Sequence, residues 1–236
     1  MITIHQICYN EIALLEFSYN FYKKRFPSAK FILHDNNSND GSVQLAERLG
    51  YEIRPFETNG EMDDATLQHI KNNCWKNDAT DWIIVADMDE LIDISENDLF
   101  LEERNGINVI STFGYNMINI NREFNLDSIV YGFREDTVYD KRLIFNKKFI
   151  TDMNYDVGAH NCNPFGNNIN FSTHRFNLLH YKYLSEDYVV NRYKELNYRQ
   201  SSNNVKNSWS THYQIQENEL RDYYKSCIKK DLTKLL

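Results

Sequence analysis

The stretch Asp81-Trp82-Ile83-Ile84-Val85-Ala86-Asp87-Met88-Asp89-Glu90 decides the fold, because a continuous apolar run ends there in three carboxylates. A short apolar run with β-branched residues at its centre is typical of a strand buried on both faces of a mostly parallel sheet. The acids then lie at the carboxyl end of the strand, the edge where open α/β sheets bind ligands. The stretch therefore predicts a ligand site beside Asp87 and Asp89.

A divalent metal is the ligand that this pair of acids favours. Asp87 and Asp89 are two residues apart, so in an extended segment they project to the same side. Mg²⁺ and Mn²⁺ prefer oxygen ligands and are commonly held by one or two carboxylates together with substrate phosphates. We therefore predict Mn²⁺ or Mg²⁺ as the cofactor. The alternative is an acidic, solvated turn that only ends a core strand.

The length, charge and hydropathy of the chain argue against several classes of function. The chain has 236 residues, enough for one substantial α/β domain, and a formal net charge of -8 at pH 7. An acidic balance without a long Lys/Arg run argues against a nucleic-acid partner. No stretch is apolar and long enough to span a bilayer, and the first residues lack the pattern of a signal peptide. We therefore predict a cytoplasmic location.

The cysteines are scattered and form no CxxC pair, so neither a zinc ribbon nor a disulfide framework is indicated. They are Cys8, Cys74, Cys162 and Cys227. We interpret them as reduced thiols, most of them packed in the interior. Cys162 is close to His160 in the sequence, which leaves a catalytic thiol as an open alternative.

The chain before the acidic stretch alternates between strands and helices, which predicts a parallel α/β sheet with right-handed crossovers. The predicted strands are residues 2–8, 31–34, 51–55 and 82–86, and the predicted helices are 11–25, 43–49 and 61–76. The second strand runs into Asp35-Asn36-Asn37-Ser38-Asn39-Asp40-Gly41-Ser42, whose residues form Asx turns and leave backbone N–H groups free. This loop follows a strand, so we place it at the ligand edge, with an ordinary polar turn as the alternative.

The second half of the chain has a weaker pattern. A short helix is predicted at 96–103 and strands at 108–113, 115–120 and 178–183, followed by a helix that Ser185 caps and that ends near Arg199. Residues 122–171 read as irregular apart from a strand-like segment at 142–145, and long irregular regions are usually functional. Residues 201–210 read as a loop, and a last helix is predicted from about Gln214 to near the end.

In this order, the motifs resemble a GT-A type glycosyltransferase, similar to the family 2 group of small bacterial and large-virus enzymes. The resemblance covers roughly residues 1–200. The motifs that carry it are Asn10-Glu11, the 35–42 loop, Asp87-Met88-Asp89-Glu90-Leu91, Leu179-His180-Tyr181 and Ser185-Glu186-Asp187-Tyr188. It implies a GT-A fold in which a mostly parallel central sheet is flanked by helices. The halves would be a donor half (1–105) and an acceptor half (106–200), with a C-terminal helical extension (201–236).

The same resemblance implies an activity. The chain would transfer a sugar, metal-dependently and with inversion, from a UDP-, GDP- or dTDP-linked donor to a glycan or other hydroxyl acceptor, as a hexosyltransferase-like enzyme of polysaccharide biosynthesis. The alternative is a catalytically inactive relative that binds a nucleotide or glycan. Metal-dependent release of nucleotide diphosphate would separate the two.

The C-terminal helix is a possible surface for a homodimer or for peripheral membrane association. The alternative is a helix face that is only exposed to solvent.

The site residues follow position by position. The nucleotide-binding residues that the resemblance implies are Cys8, Tyr9, Asn10, Asp35, Asn37, Ser38, Asp87 and Met88. The implied metal ligands are Asp87, Asp89 and His180. For the catalytic base we choose Asp156 first, because it lies in the acceptor half just before His160, which could orient it. Glu135 and Asp136 are the next candidates, because the family often uses a Glu-Asp pair beyond its metal motif.

Overall fold

The computed structural model of the protein describes residues 1–121, 123–135 and 137–236, so Arg122 and Asp136 lie outside the described residues. The strands are β1 (Ile2–Cys8), β2 (Lys30–Asp35), β3 (Glu52–Pro55), β4 (Trp82–Asp87), β5 (Glu90–Asp93), β6 (Val109–Ile118), β7 (Tyr131–Phe133), β8 (Ile144–Asn146), β9 (Ile150–Asp152), β10 (Phe165–Gly166), β11 (Phe171–Tyr183) and β12 (Thr233–Lys234). The helices are α1 (Ile12–Arg25), α2 (Ser42–Leu49), α3 (Asp64–Asn73), α4 (Glu96–Arg104), α5 (Glu186–Tyr198), α6 (Ser202–Asn207) and α7 (Glu217–Cys227). Short 3-10 helices cover Leu126–Ser128, Val157–Ala159 and Thr211–Gln214.

Residues 1–105 contain the parallel core of the sheet, with strands in the order β3-β2-β1-β4. Cys8 of β1 pairs with Asp35 of β2, and Ile7 pairs with Asp87 of β4, so the polar residues after each strand meet at one edge. Ile83, Ile84 and the rest of the apolar run are fully buried, as a strand covered on both faces requires. The prediction of an α/β fold with a mostly parallel central sheet flanked by helices is confirmed.

Antiparallel strands continue the sheet beyond this core. β8 pairs antiparallel with both β4 and β6, and β7 and β12 follow β6 at the outer edge. The chain turns at Met88-Asp89 and enters β5, which pairs with β11 rather than with the parallel core. This turn places His180 of β11 opposite Glu90 of β5. The sequence did not predict β5, because this strand begins at Glu90, within the acidic stretch itself, without a separating loop.

The predicted break between strands 108–113 and 115–120 is wrong, because β6 runs continuously through Gly114. A Cβ atom at Gly114 would lie 2.3 Å from the carbonyl oxygen of Tyr139, and the Gly114 N–H donates to Asp140 Oδ1 at 2.9 Å. The glycine therefore serves close packing of the following segment against the strand. Glycine is needed at this position because a side chain would clash with the packed segment, and it does not mark a turn.

The C-terminal segment also differs from the prediction. The expected loop at 201–210 contains α6, whose first turn Ser201 caps by accepting from the N–H of Asn204 at 3.1 Å. The last helix ends at Cys227, and β12 then pairs antiparallel with β7. These short elements depend on tertiary contacts, because Asn204 also bonds to Asp64 and to the carbonyl of Met62. Local sequence patterns do not report such contacts.

The C-terminal extension packs onto the main body. Leu220, Tyr224 and Cys227 of α7 are buried together with Tyr183 and Val189, in a cluster separate from the main core. Within the described residues, every helix is too short or too polar to cross a bilayer.

Candidate active site

A cavity of about 240 Å³ lies at the carboxyl ends of β1 and β4, and both halves of the chain contribute to its wall. Among the predicted nucleotide-binding and metal-binding residues, six line it: Cys8, Tyr9, Asp87, Met88, Asp89 and His180. Asn10, Asp35, Asn37 and Ser38 form a loop cluster adjacent to this edge and are not part of the wall. The structure therefore brings the predicted metal ligands together and places the predicted nucleotide loop beside them.

Asp87 ends β4 and stays available to a ligand. One of its carboxylate oxygens accepts a hydrogen bond from Lys71 Nζ of α3 at 2.7 Å. Lys71 is 3% exposed, whereas the Asp87 side chain is 35% exposed. The buried ammonium group fixes the orientation of the carboxylate and leaves the rest of it facing the cavity.

Asp89 and His180 face each other across the turn that follows β4. The N–H of Tyr181 donates to the Asp89 carbonyl at 2.7 Å and holds the turn against β11. His180 Nδ1 lies 3.2 Å from Asn116 Oδ1, and His180 Nε2 lies 3.3 Å from Asp89 Oδ2. The ring is therefore held between these two side chains, with Nε2 directed to the Asp89 carboxylate.

The electrostatics of Asp89 agree with this geometry. Burial acts to raise the pKa of Asp89, but the neighbouring His180 outweighs it and holds the pKa below its usual range. The carboxylate is therefore ionised at neutral pH, the form that a metal requires.

A buried ion pair lies directly beneath the acidic edge. Glu90 and Lys141 are each 3% exposed, and Lys141 Nζ lies 2.5 Å from Glu90 Oε1. The same Nζ donates to the carbonyl of Gly158 at 2.7 Å, so it connects the acidic edge to the 157–159 turn. The sequence analysis missed Lys141, and its position beside a short strand carries no local signal of burial.

The loop after β2 is tied to the turn after β1. Asp35 is 4% exposed, and its Oδ2 accepts from the N–H of Ser38 at 3.0 Å. Ser38 Oγ accepts from the N–H of Asn10 at 2.9 Å, and Asn10 and Asn37 both adopt left-handed backbone conformations. Asp35 Oδ1 is buried without a hydrogen-bond partner among the described residues. An orphaned acceptor of this kind is suited to a donor group on a ligand.

Two of the predicted catalytic bases, Asp156 and Glu135, are not part of the cavity wall. Asp156 uses both carboxylate oxygens to accept from Asn161, from its N–H at 2.9 Å and from its side-chain amide at 2.8 Å. Glu135 accepts from Lys230 Nζ at 2.7 Å and from the Tyr223 hydroxyl, against α7. Asp136 lies outside the described residues. Among the described residues of 106–236, the wall contains no carboxylate.

Cations and aromatic rings make up the facing wall instead. Lys182 Nζ donates to the Tyr139 hydroxyl at 3.2 Å, and the Arg199 guanidinium lies 3.2 Å above the centre of the Tyr9 ring. Arg192 pairs with Glu11. Arg192 and Arg199 are seven residues apart, a spacing that puts two side chains on one face of a helix, and that spacing is the signal that could have found them. The charged residues that the described part of 106–236 contributes to the wall are thus basic, whereas most of those from 1–105 are acidic.

No protein-family model matches the chain, and no curated protein matches it. Solved structures with a similar chain trace include S. aureus TarS residues 1–349 in complex with UDP, at 14% identity and a TM-score of 0.48, with 84% of this chain covered and 64% of that one. The same TarS fragment in complex with UDP-GlcNAc has 14% identity, a TM-score of 0.45, and 84% and 66% coverage. A longer TarS chain has 12% identity, a TM-score of 0.44, and 82% and 38% coverage. This chain therefore spans between 38% and 66% of the length of these TarS chains. Likeness at these scores does not assign an activity.

Proposed function

We propose that the protein is a GT-A type, metal-dependent glycosyltransferase that moves a sugar from a nucleotide-diphosphate sugar to a hydroxyl of a glycan or other acceptor. One observation carries the proposal: Asp87, Asp89 and His180 meet in a single cavity at the carboxyl edge of a parallel α/β sheet. Lysine and arginine side chains face this cluster, as a site for a diphosphate requires.

The residues at this edge fit Mn²⁺ or Mg²⁺. Two partly exposed carboxylates and a histidine lone pair supply donor atoms of the types that these ions accept. When bound, the ion neutralises the charge that develops on the leaving diphosphate. Lys71 and Asn116 act behind the ligands, because they orient Asp87 and His180 through hydrogen bonds.

The donor nucleotide is assigned to the loop cluster beside the cavity. Asp35 Oδ1 is buried and unpartnered among the described residues, so it can accept the imide N–H of a uracil or thymine ring or the N1–H of guanine. The backbone of Cys8, Tyr9 and Asn10, with Asn37 and Ser38, completes the nucleotide contacts of the proposal. Hydrogen bonds from Asp35 through Ser38 to Asn10 lead from the proposed base contact towards Tyr9 in the cavity wall.

An inverting transfer needs a base next to the acceptor hydroxyl. We keep Asp156 as the first proposal, because it opens the turn whose Gly158 and His160 line the cavity. To act, the Asp156 carboxylate has to exchange its bonds to Asn161 for the acceptor hydroxyl. Glu135 and Asp136 remain the second proposals.

A second candidate function is a non-catalytic relative that binds a nucleotide or a glycan. The observation that favours it is the wall itself, which holds no carboxylate from the described part of 106–236. Metal and nucleotide binding would then persist without transfer. Aromatic side chains such as Tyr139 and Tyr193 would still offer stacking surfaces to a sugar.

Isothermal titration of UDP, GDP and dTDP, each with and without Mn²⁺, tests the donor site. We expect one nucleotide to bind only with the metal, and Asp89→Ala to abolish this binding. Asp81→Ala is the matched control, because Asp81 lies just before the opposite end of β4 and pairs with Lys148 on the surface. Well-folded wild type that binds none of the nucleotides would refute the proposal. Metal-dependent release of nucleotide diphosphate from a sugar donor then separates the enzyme from the binding protein.

A further inference from the structure

Two histidines and a cysteine form a compact cluster outside the cavity. Ile7 and His34 are paired in the register of β1 and β2, so His5 and His34 lie on the same face of the sheet. His5 Nδ1 is 3.0 Å from His34 Nε2, and both residues are buried. The Sγ of Cys74, at the end of α3, and one ring nitrogen of each histidine all lie within 4.8 Å of one another.

We propose that His5, His34 and Cys74 bind a divalent transition-metal ion of the zinc class. Tetrahedral Zn²⁺ holds nitrogen at about 2.0 Å and sulfur at about 2.3 Å, so its ligand atoms lie roughly 3.3 to 3.6 Å apart. The two ring nitrogens need to separate by only a few tenths of an ångström to reach this spacing. Imidazole and thiolate are the ligands that select zinc over the oxygen-preferring ions of the cavity.

The surroundings of His5 are those of a metal-binding histidine. His5 Nε2 lies 2.5 Å from Asp78 Oδ2, and because a carboxylate can only accept, Nε2 carries the proton and the Nδ1 lone pair faces the cluster. A carboxylate behind a histidine orients the ring and raises its basicity towards a metal. Arg54 Nη2 lies 3.4 Å from the other oxygen of Asp78 and balances its charge.

Metal binding releases one proton from the cluster. The Cys74 thiol loses one proton and becomes the thiolate ligand, while His34 moves its proton from Nε2 to Nδ1 and stays neutral. Without a metal, burial raises the pKa of the Cys74 thiol to about 12, so it stays protonated. Burial also lowers the pKa of His34 to about 3, so its ring is neutral at neutral pH and can donate a lone pair.

A metal bound at this site would hold the end of α3 against β1 and β2. Cys74 follows the last turn of α3, and the same helix carries Lys71, which holds Asp87. A metal at the cluster therefore fixes the end of the helix that orients the predicted donor-site ligand. The glycosyl transfer proposed above uses none of the three residues, so the two proposals stand or fall separately.

Cobalt titration of the chelator-treated, full-length protein tests the site. We expect a near-ultraviolet thiolate-to-cobalt band together with visible bands of tetrahedral Co²⁺, and Zn²⁺ should remove both. Asp89→Ala and Cys162→Ser should retain the bands, and Cys74→Ser should lose them. Bands that persist in Cys74→Ser would overturn the assignment, as would their absence from wild type.

A second measurement needs no variant and so does not depend on folding of Cys74→Ser. Alkylation of wild type by iodoacetamide, read by peptide mass, should slow about tenfold or more at Cys74 when Zn²⁺ is bound, because the metal occupies the thiolate. The rate at Cys162 should not change. Equal rates at Cys74 with and without Zn²⁺ would mean that the three residues form only a hydrogen-bonded network in the core, and would overturn the proposal.

Discussion

Residues 1–105 and residues 106–236 place most of their cavity residues by different means. In residues 1–105, Asp87 is the last residue of β4 and Cys8 the last of β1, so strand register alone brings them to one edge. In residues 106–236, register places His180 opposite Glu90, but His160 and Tyr139 come from turns and His212 comes from the C-terminal segment. Individual long-range contacts position these last three residues.

One side chain connects the two arrangements. Lys141 belongs to residues 106–236, and its ammonium group contacts Glu90 of residues 1–105 and the carbonyl of Gly158. The turn that carries Asp156 and His160 is therefore held against the acidic edge through one buried cation. We therefore predict that substitutions at the carboxyl edge of the strands change ligand binding, and that substitutions in the Glu90–Lys141 pair change stability and turnover.

The largest expected effect comes from breaking the connection. Glu90→Gln leaves the buried Lys141 without its direct ion-pair partner, which should lower the free energy of unfolding by about 3–5 kcal/mol. Urea denaturation measures this loss. The double variant Glu90→Gln with Lys141→Met should recover most of it, because no buried charge remains. A single variant as stable as wild type would show that the ion pair does not hold the halves together.

The same pair predicts a pH dependence. Burial acts to raise the pKa of Glu90, but Lys141 outweighs it and leaves the pKa below that of the unfolded chain. The stabilisation is therefore present above the unfolded pKa of about 4.3 and is lost as the pH falls through the folded value. Wild type should lose stability in this acid range, and Glu90→Gln should lack this contribution. Parallel stability profiles for the two proteins would contradict the assignment.

The next largest effect tests the acceptor half. If Asp156 is the base, Asp156→Asn should lower kcat by about a hundredfold or more while metal-dependent nucleotide affinity stays unchanged. Asn161→Ala is the matched control, because it removes one of the hydrogen bonds to Asp156 and keeps the carboxylate. Equal losses in both variants would mean that Asp156 only positions the turn.

Sequence analysis predicted the strand and the loop at the carboxyl edge of the sheet because their signals are local. The apolar run before Asp87 fixed the strand, and the polar loop after β2 fixed the position of Asp35. Lys141 and the cluster of His5, His34 and Cys74 carry no such signal, because their partners are distant in the chain and depend on strand order. The short elements α6 and β12 were missed for the same reason, since their stability comes from tertiary contacts.

A smaller effect is expected from Lys71 in the donor half. Lys71→Met keeps a buried side chain of similar length but removes the hydrogen bond that orients Asp87, so Mn²⁺-dependent nucleotide affinity should fall about tenfold. Lys76→Met is the control, because Lys76 lies beyond the same helix and pairs with Asp152 on the surface. Tighter metal binding in Lys71→Met would show that Lys71 competes with the cation and does not support the ligand.

The smallest effect is expected from Glu135. Its carboxylate bonds to Lys230 and Tyr223 at the surface against α7, and the pair is partly exposed to solvent. Glu135→Gln should therefore change kcat by less than about twofold and the free energy of unfolding by less than about 1 kcal/mol. Asp136→Asn, in the same assay, tests the neighbouring candidate. A hundredfold loss in Glu135→Gln, with Asp156→Asn active, would make Glu135 the base and would require this surface to close over the cavity during turnover.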